Sequence, residues 1–106
     1  SRARRDYVWI AEGTVVAAVH SDGRRRILRL SFDAERVGPR EADGVLTFAL
    51  SHFPPAGSVY CQVRQYQTAE EAALVRGGFT HVGEFALLVK QLSVRVGDRC
   101  LVPVGV

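Results

Sequence analysis

Methionine is absent from this 106-residue chain, and lysine occurs once, at Lys90. A chain without methionine is expected to be a piece cut or processed from a longer translation product. No apolar run approaches the roughly 18 to 20 residues of a membrane-spanning helix, and the opening SRARRDY lacks the apolar stretch of a secretory signal. Cys61 and Cys100 are too few and too far apart for a disulfide framework or a zinc site. The expectation is a soluble, cytoplasmic protein in a reducing compartment, with no metal and no membrane partner. Internal repeats and low-complexity tracts are also missing. At 47% hydrophobic and 24% charged residues, the composition argues against disordered, collagen-like and coiled-coil chains.

What is present suffices for one domain. A chain of this size buries roughly 60 to 70% of its unfolded surface, enough for one core but not for a core plus a large enclosed cavity. Function is therefore expected on a surface cleft or an edge. Thirteen arginines give most of the net charge of +3, a skew that fits a GC-rich genome as readily as a physical demand.

Tyr7 to Glu12 and Thr14 to His20 are β-rich runs separated by Gly13, and they predict two short antiparallel strands. Ser21-Asp22-Gly23 predicts a tight turn, with Asp-Gly supplying the positive φ. Arg26 to Asp33 then alternates, with Leu28, Leu30 and Phe32 on one side and Ile27, Arg29 and Ser31 on the other. Pro39 suits the first turn of a helix whose face carries Leu46, Ala49, Leu50 and Phe53 and which Pro54-Pro55 ends. Ser58 to Tyr66 alternates again, placing Val59, Cys61 and Val63 opposite Tyr60, Gln62, Arg64 and Tyr66.

Thr68-Ala69-Glu70-Glu71 has the form of a capping box, and Gly77-Gly78 closes the short helix that follows. Phe79 to Val96 reads as a long β segment with a bend or bulge at Gly83. The predicted order is β-β-β-α-β-α-β, an α/β (α+β) architecture with two helices on a mixed, mostly antiparallel sheet. The domain is expected over 7–96, with 1–6 and 97–106 as flexible or extended tails.

The order and the stretch VYCQVRQYQTAEEAALVRGGFTHVGEFALLVKQL, Val59 to Leu92, resemble the C-terminal part of the GNAT N-acetyltransferase domain, particularly as bacterial members write it. The stretch is similar to that family's fifth strand, its last helix ending in a Gly-Phe pair, here Gly78-Phe79, and the long strand after it. The resemblance covers about residues 7 to 95. It implies acetyl-CoA as co-substrate and transfer of an acetyl group to an amine by direct attack. Pantetheine would run along the Leu30 to Asp33 edge, with main-chain donors near Ser31 and Phe32 polarising the carbonyl. Pyrophosphate would sit at Val37, Gly38 and Arg40.

The family's phosphate loop, Arg/Gln-x-x-Gly-x-Gly/Ala, lets main-chain N–H groups at a helix N-terminus meet phosphate. In this sequence Arg36, Gly38, Arg40 and Gly44 are the right types at the wrong spacing. Pro39 removes a donor, and Glu35, Glu41 and Asp43 bring negative charge. The tyrosine that often serves the family as general acid falls at Leu74, which leaves Tyr60, Tyr66 or water for that role.

Among single residues, Tyr60, Gln62, Arg64 and Tyr66 form the best candidate surface for a polar ligand, combining stacking with fixed donors, against the plainer reading of an amphipathic strand packed under a helix. Arg24-Arg25-Arg26 with Arg29 is the densest charge but lacks interleaved aromatics, so nucleic acid is not expected. His20, His52 and His81 share no metal-ligand spacing; a bulge at Gly83 would be needed to bring His81 and Glu84 together as a base.

Two functions follow: a GNAT-like acyl-CoA-dependent N-acetyltransferase acting on an unidentified small-molecule or peptide amine, or a non-catalytic degenerate GNAT-fold module for binding or dimerisation. The segment Phe85 to Val96 would offer a homodimer its strand edge.

Overall fold

The computed structural model describes residues 4–83 and 87–92. Three antiparallel strands come first: β1 (Arg4–Ala11), β2 (Thr14–Asp22) and β3 (Ile27–Phe32). Glu12 and Gly13, at φ 53° and 78°, make the two-residue turn between β1 and β2, the twist that a tight hairpin demands. The strand starts at Arg4, so Arg4, Arg5 and Asp6 pair with Asp22, Ser21 and His20.

The second turn differs from expectation. Asp22 Oδ1 accepts the N–H groups of Arg24 and Arg25, each at 3.1 Å, and the positive φ falls on Arg26 at 58°, not on Gly23. The aspartate side chain organises this turn. Arg26 can hold the strained angle because its side chain is anchored: Nε donates to Ser58 O at 2.7 Å, and the guanidinium lies 5.7 Å from the Phe53 ring centroid.

Helix α1 (Pro39–Leu50) buries Ala42, Val45, Leu46 and Ala49. It ends before Pro54; tighter i to i−3 bonds, His52 N–H to Ala49 O and Phe53 N–H to Leu50 O, carry the chain on to a buried Phe53. Strand β4 (Gly57–Gln62) is followed by α2 (Thr68–Arg76). The capping box does not form. Thr68 is already helical, Gln67 is the N-cap, and Glu71 reaches His81 at 2.9 Å instead.

The helix closes as expected at Gly77-Gly78. Gly78 at φ 98°, with Phe79 N–H to Leu74 O and Gly78 N–H to Val75 O, makes a Schellman cap with Phe79 and Leu74 both buried. The long strand expected from Phe79 is two strands, β5 (Thr80–His81) and β6 (Leu87–Leu92), because Gly83 at φ 67° turns the chain and Val82 N–H bonds to Leu87 O. Glu84, Phe85, Ala86 and residues 93–106 lie outside the described residues.

The sheet runs β1-β2-β3-β4-β6-β5, and among the described strands only the β3–β4 pairing is parallel. Helices α1 and α2 pack on each other and on one face, around Leu28, Leu30, Val59, Cys61, Leu74 and Leu88. Among the described residues nothing covers the opposite face, where Val8, Ile10, Val15 and Tyr60 are exposed. β6 is paired with β4 throughout and with β5 at Leu88 and Val89, so β1 is the longest free edge among the described strands. No helix of the described residues is long and apolar enough to cross a membrane.

Candidate functional site

The parallel pairing of β3 with β4 lasts for two residue pairs, Ile27 with Tyr60 and Leu28 with Cys61. Beyond them the strands part. β3 stays with β2, its path extended by Asp33 N–H to Val16 O at 2.8 Å, while β4 ends at Gln62 and the chain turns through 63–67. A cleft of about 340 Å³ opens between them, lined by Arg29, Leu30 and Ser31 on one side and Gln62, Arg64, Tyr66 and Gln67 on the other.

Two side chains from the start of α2 cross this gap. Gln67 joins β3 to the loop after β4, since its Nε2 donates to Leu30 O and its Oε1 accepts the N–H of Arg64, each at 2.9 Å. Glu70, 5% exposed, accepts the N–H of Phe32 at 2.7 Å and lies 3.4 Å from Gln67 Nε2. The buried main-chain groups that β3 loses by leaving β4 are thereby satisfied by side chains. Leu30 N–H is turned toward Cys61, whose thiol is pushed up to about 12 chiefly by burial, so Cys61 is an inert core thiol.

Gln67 carries no signal in the sequence, and Glu70 reads there only as part of the Thr68 to Glu71 capping run. The signal was Glu70 itself, a carboxylate at helical spacing from Ala73 and Leu74 on the buried face, where an apolar residue belongs. The four residues expected to share a strand face separate. Gln62, Arg64 and Tyr66 line the cleft, but Arg64 and Tyr66 do so from the loop after β4. Tyr60 faces a neighbouring groove on the uncovered sheet face, lined also by Arg25, Ile27, Leu87 and by Arg29 and Gln62, which border both hollows. Tyr66 is 77% exposed.

Ser31 lines the cleft, and Phe32, the next residue of β3, has its N–H already bound. Val37 is buried, and its N–H donates to Asp33 O at 2.9 Å. Gly38 is the N-cap of α1, and Glu41 Oε1 folds back to 2.8 Å from where a β-carbon on Gly38 would sit. Arg40 is exposed beside it. Pro39 offers no N–H, and Arg36 is paired with Asp33 at 3.8 Å.

These residues do not fit acetyl-CoA. On β3, Phe32 N–H and Leu30 O are engaged, and at the helix N-terminus a carboxylate lies where phosphate would be drawn. Leu74, at the position of the family's tyrosine, is fully buried in the core. The histidines are engaged locally: His20 Nδ1 with Asp6 Oδ1 at 2.6 Å, His52 Nδ1 with Phe48 O at 2.9 Å, and His81 with Glu71. Among the described residues no group of three or more His, Cys, Asp or Glu side chains forms a metal site.

Comparison with protein-family models and with curated protein sequences gives no match. A solved structure does match, one described as a "putative phosphinothricin N-acetyltransferase". The two share a TM-score of 0.60 over 89% of this chain and 75% of that one, at 16% sequence identity. The fold is GNAT-like: a mixed, mostly antiparallel six-stranded sheet carrying two helices. The likeness is one of fold, and it carries the fold expectation drawn from the Val59 to Leu92 stretch.

Proposed function

We propose that this chain is a non-catalytic binding module on the N-acetyltransferase fold, and that its ligand sits in the cleft between β3 and β4. The observation that carries this reading is the occupation of the cleft's inner edge: Gln67 on Leu30 O and Arg64 N–H, and Glu70 on Phe32 N–H. An edge whose buried polar groups are already paired has no donors left for a thioester carbonyl. The cleft stays open on its outer side, where Arg29, Gln62, Arg64 and Tyr66 offer donors and an aromatic ring. A chain incubated with acetyl-CoA and a panel of primary amines is expected to release free CoA no faster than buffer. Sustained release in proportion to chain concentration overturns the proposal.

A second reading, transfer of an acetyl group from acetyl-CoA to an amine, is favoured by the likeness of fold to an N-acetyltransferase. In it Ser31, Phe32, Val37, Gly38 and Arg40 contact the co-substrate, and Tyr60 or Tyr66 handles the proton. It requires Gln67 and Glu70 to leave the β3 edge.

A further inference from the structure

The walls of the cleft carry Arg29, from β3, and Arg64, from the loop after β4, with Gln62, Ser31 and Tyr66 lining it beside them. No lining residue is acidic. Among the described residues no carboxylate lies within ion-pair distance of either guanidinium, whereas Arg4, Arg36 and Arg76 each have an aspartate partner. Glu70, buried and absent from the lining, is engaged by Phe32 N–H and lies beside the Gln67 amide. The cleft therefore gathers positive charge and hydrogen-bond donors in a concave site, the arrangement that draws and holds a small anion.

We propose that the ligand of this cleft is a small molecule bearing an oxyanion group, held by Arg29 and Arg64. The inference rests on reading the cleft as a binding site, and it adds the chemical class. Guanidinium forks match carboxylate and phosphate oxygens with paired N–H donors, and the Gln62 amide and Ser31 hydroxyl serve the remaining polar atoms. Tyr66 offers its ring to the carbon skeleton. The shared chemistry is the oxyanion, and carboxylate and phosphate sources are separated by the probes.

The test is amide and arginine side-chain NMR of the full chain, titrated with succinate, inorganic phosphate and, as a neutral polar probe, glycerol. Succinate or phosphate is expected to shift the Arg64, Tyr66 and Gln67 amides and the Arg29 Nε resonance saturably, and the stronger of the two names the source. Arg29→Gln and Arg64→Gln should each weaken that binding by roughly tenfold, while Arg24→Gln, on the β2–β3 turn, leaves it unchanged. Both arginines are exposed, so these variants are expected to keep the wild-type spectrum elsewhere. Equal loss in all three variants, or shifts spread over the surface, overturns the site. Shifts in the cleft with glycerol alone overturn the anion class but leave the binding module standing. No response in the cleft to any probe overturns the proposal.

Discussion

The carboxyl group of Glu70 accepts the main-chain N–H of Phe32 at 2.7 Å, joining two residues 38 positions apart in the chain. That bond ties α2 to the arm of β3 that has left β4. Its removal measures how much the parted strands depend on side chains. Glu70→Ala leaves a buried N–H without a partner and is expected to cost about 1 to 3 kcal/mol. Glu70→Gln keeps an oxygen acceptor and should cost clearly less. Urea denaturation reads both as shifts in midpoint at constant slope; equal losses in the two variants would mean that the side chain acts by packing alone.

Leu74 tests whether a tyrosine, the residue that the family resemblance expects there, can be accommodated. The site is fully buried, in contact with the core that α2 shares with the sheet. Leu74→Tyr must place a larger ring and a hydroxyl there, and overpacking of this kind costs about 1 to 3 kcal/mol. Thermal melting is expected to fall, with no acetyl transfer gained. A variant as stable as the wild type would show that the helix can shift to make room.

Two glycines, Gly44 inside α1 and Gly77 at the C-cap of α2, should respond in opposite senses. A β-carbon on Gly77 would lie 2.5 Å from Leu46 Cδ2 and 3.3 Å from Ala73 O, so Gly77→Ala pushes α1 from α2 and destabilises by about 1 to 3 kcal/mol. Gly44, inside α1, has nothing within 4 Å of such a carbon. Gly44→Ala is expected to stabilise by about 0.5 to 1 kcal/mol through helix propensity. Paired thermal melts check the sign of each.

Asp22 sets the acid limb of stability at the β2–β3 turn. The Arg25 N–H, and with it the Arg24 N–H and the Arg4 guanidinium 3.6 Å away, hold its carboxyl below the ordinary value of 3.8, against the opposing effect of burial. A lowered folded value means that the stabilisation is complete above 3.8 and is lost as pH falls through the folded value. The wild type should therefore lose stability in that acid window more steeply than Asp22→Asn, which has no proton to gain. Parallel slopes for the two proteins would remove Asp22 from the account.

Much of the fold was legible because its signals are local. The alternation of Leu28 and Leu30 against Ile27 and Arg29, Pro39 at the start of α1, and Gly77-Gly78 at the end of α2 all act over a few residues. What was not legible depends on distant partners. Alternation continues to Tyr66 in the sequence, yet β4 ends at Gln62, where its pairing with β6 stops and β3 has already departed. The Thr68 to Glu71 capping signal was overridden because His81, from the next strand, takes Glu71. The candidate site follows the same rule. Arg64, Tyr66 and Ser31 could be picked out by chemistry, but Gln67 and Glu70, which decide what the cleft can accept, show their roles only once α2 lies over the parted strands.

The most direct test of the central claim, that the parted strands are closed to acetyl-CoA, is the melting temperature of the intact chain with millimolar acetyl-CoA. No rise is expected, because the edge and the helix N-terminus that would receive it are occupied by Gln67, Glu70 and Glu41. A ligand present at a hundredfold excess over its Kd would add about 2.7 kcal/mol, a rise of several degrees in a domain of this size. A saturable rise of that order, reproduced with CoA and abolished by Arg40→Glu, would contradict the account and return the chain to the acetyltransferases in activity as well as in fold.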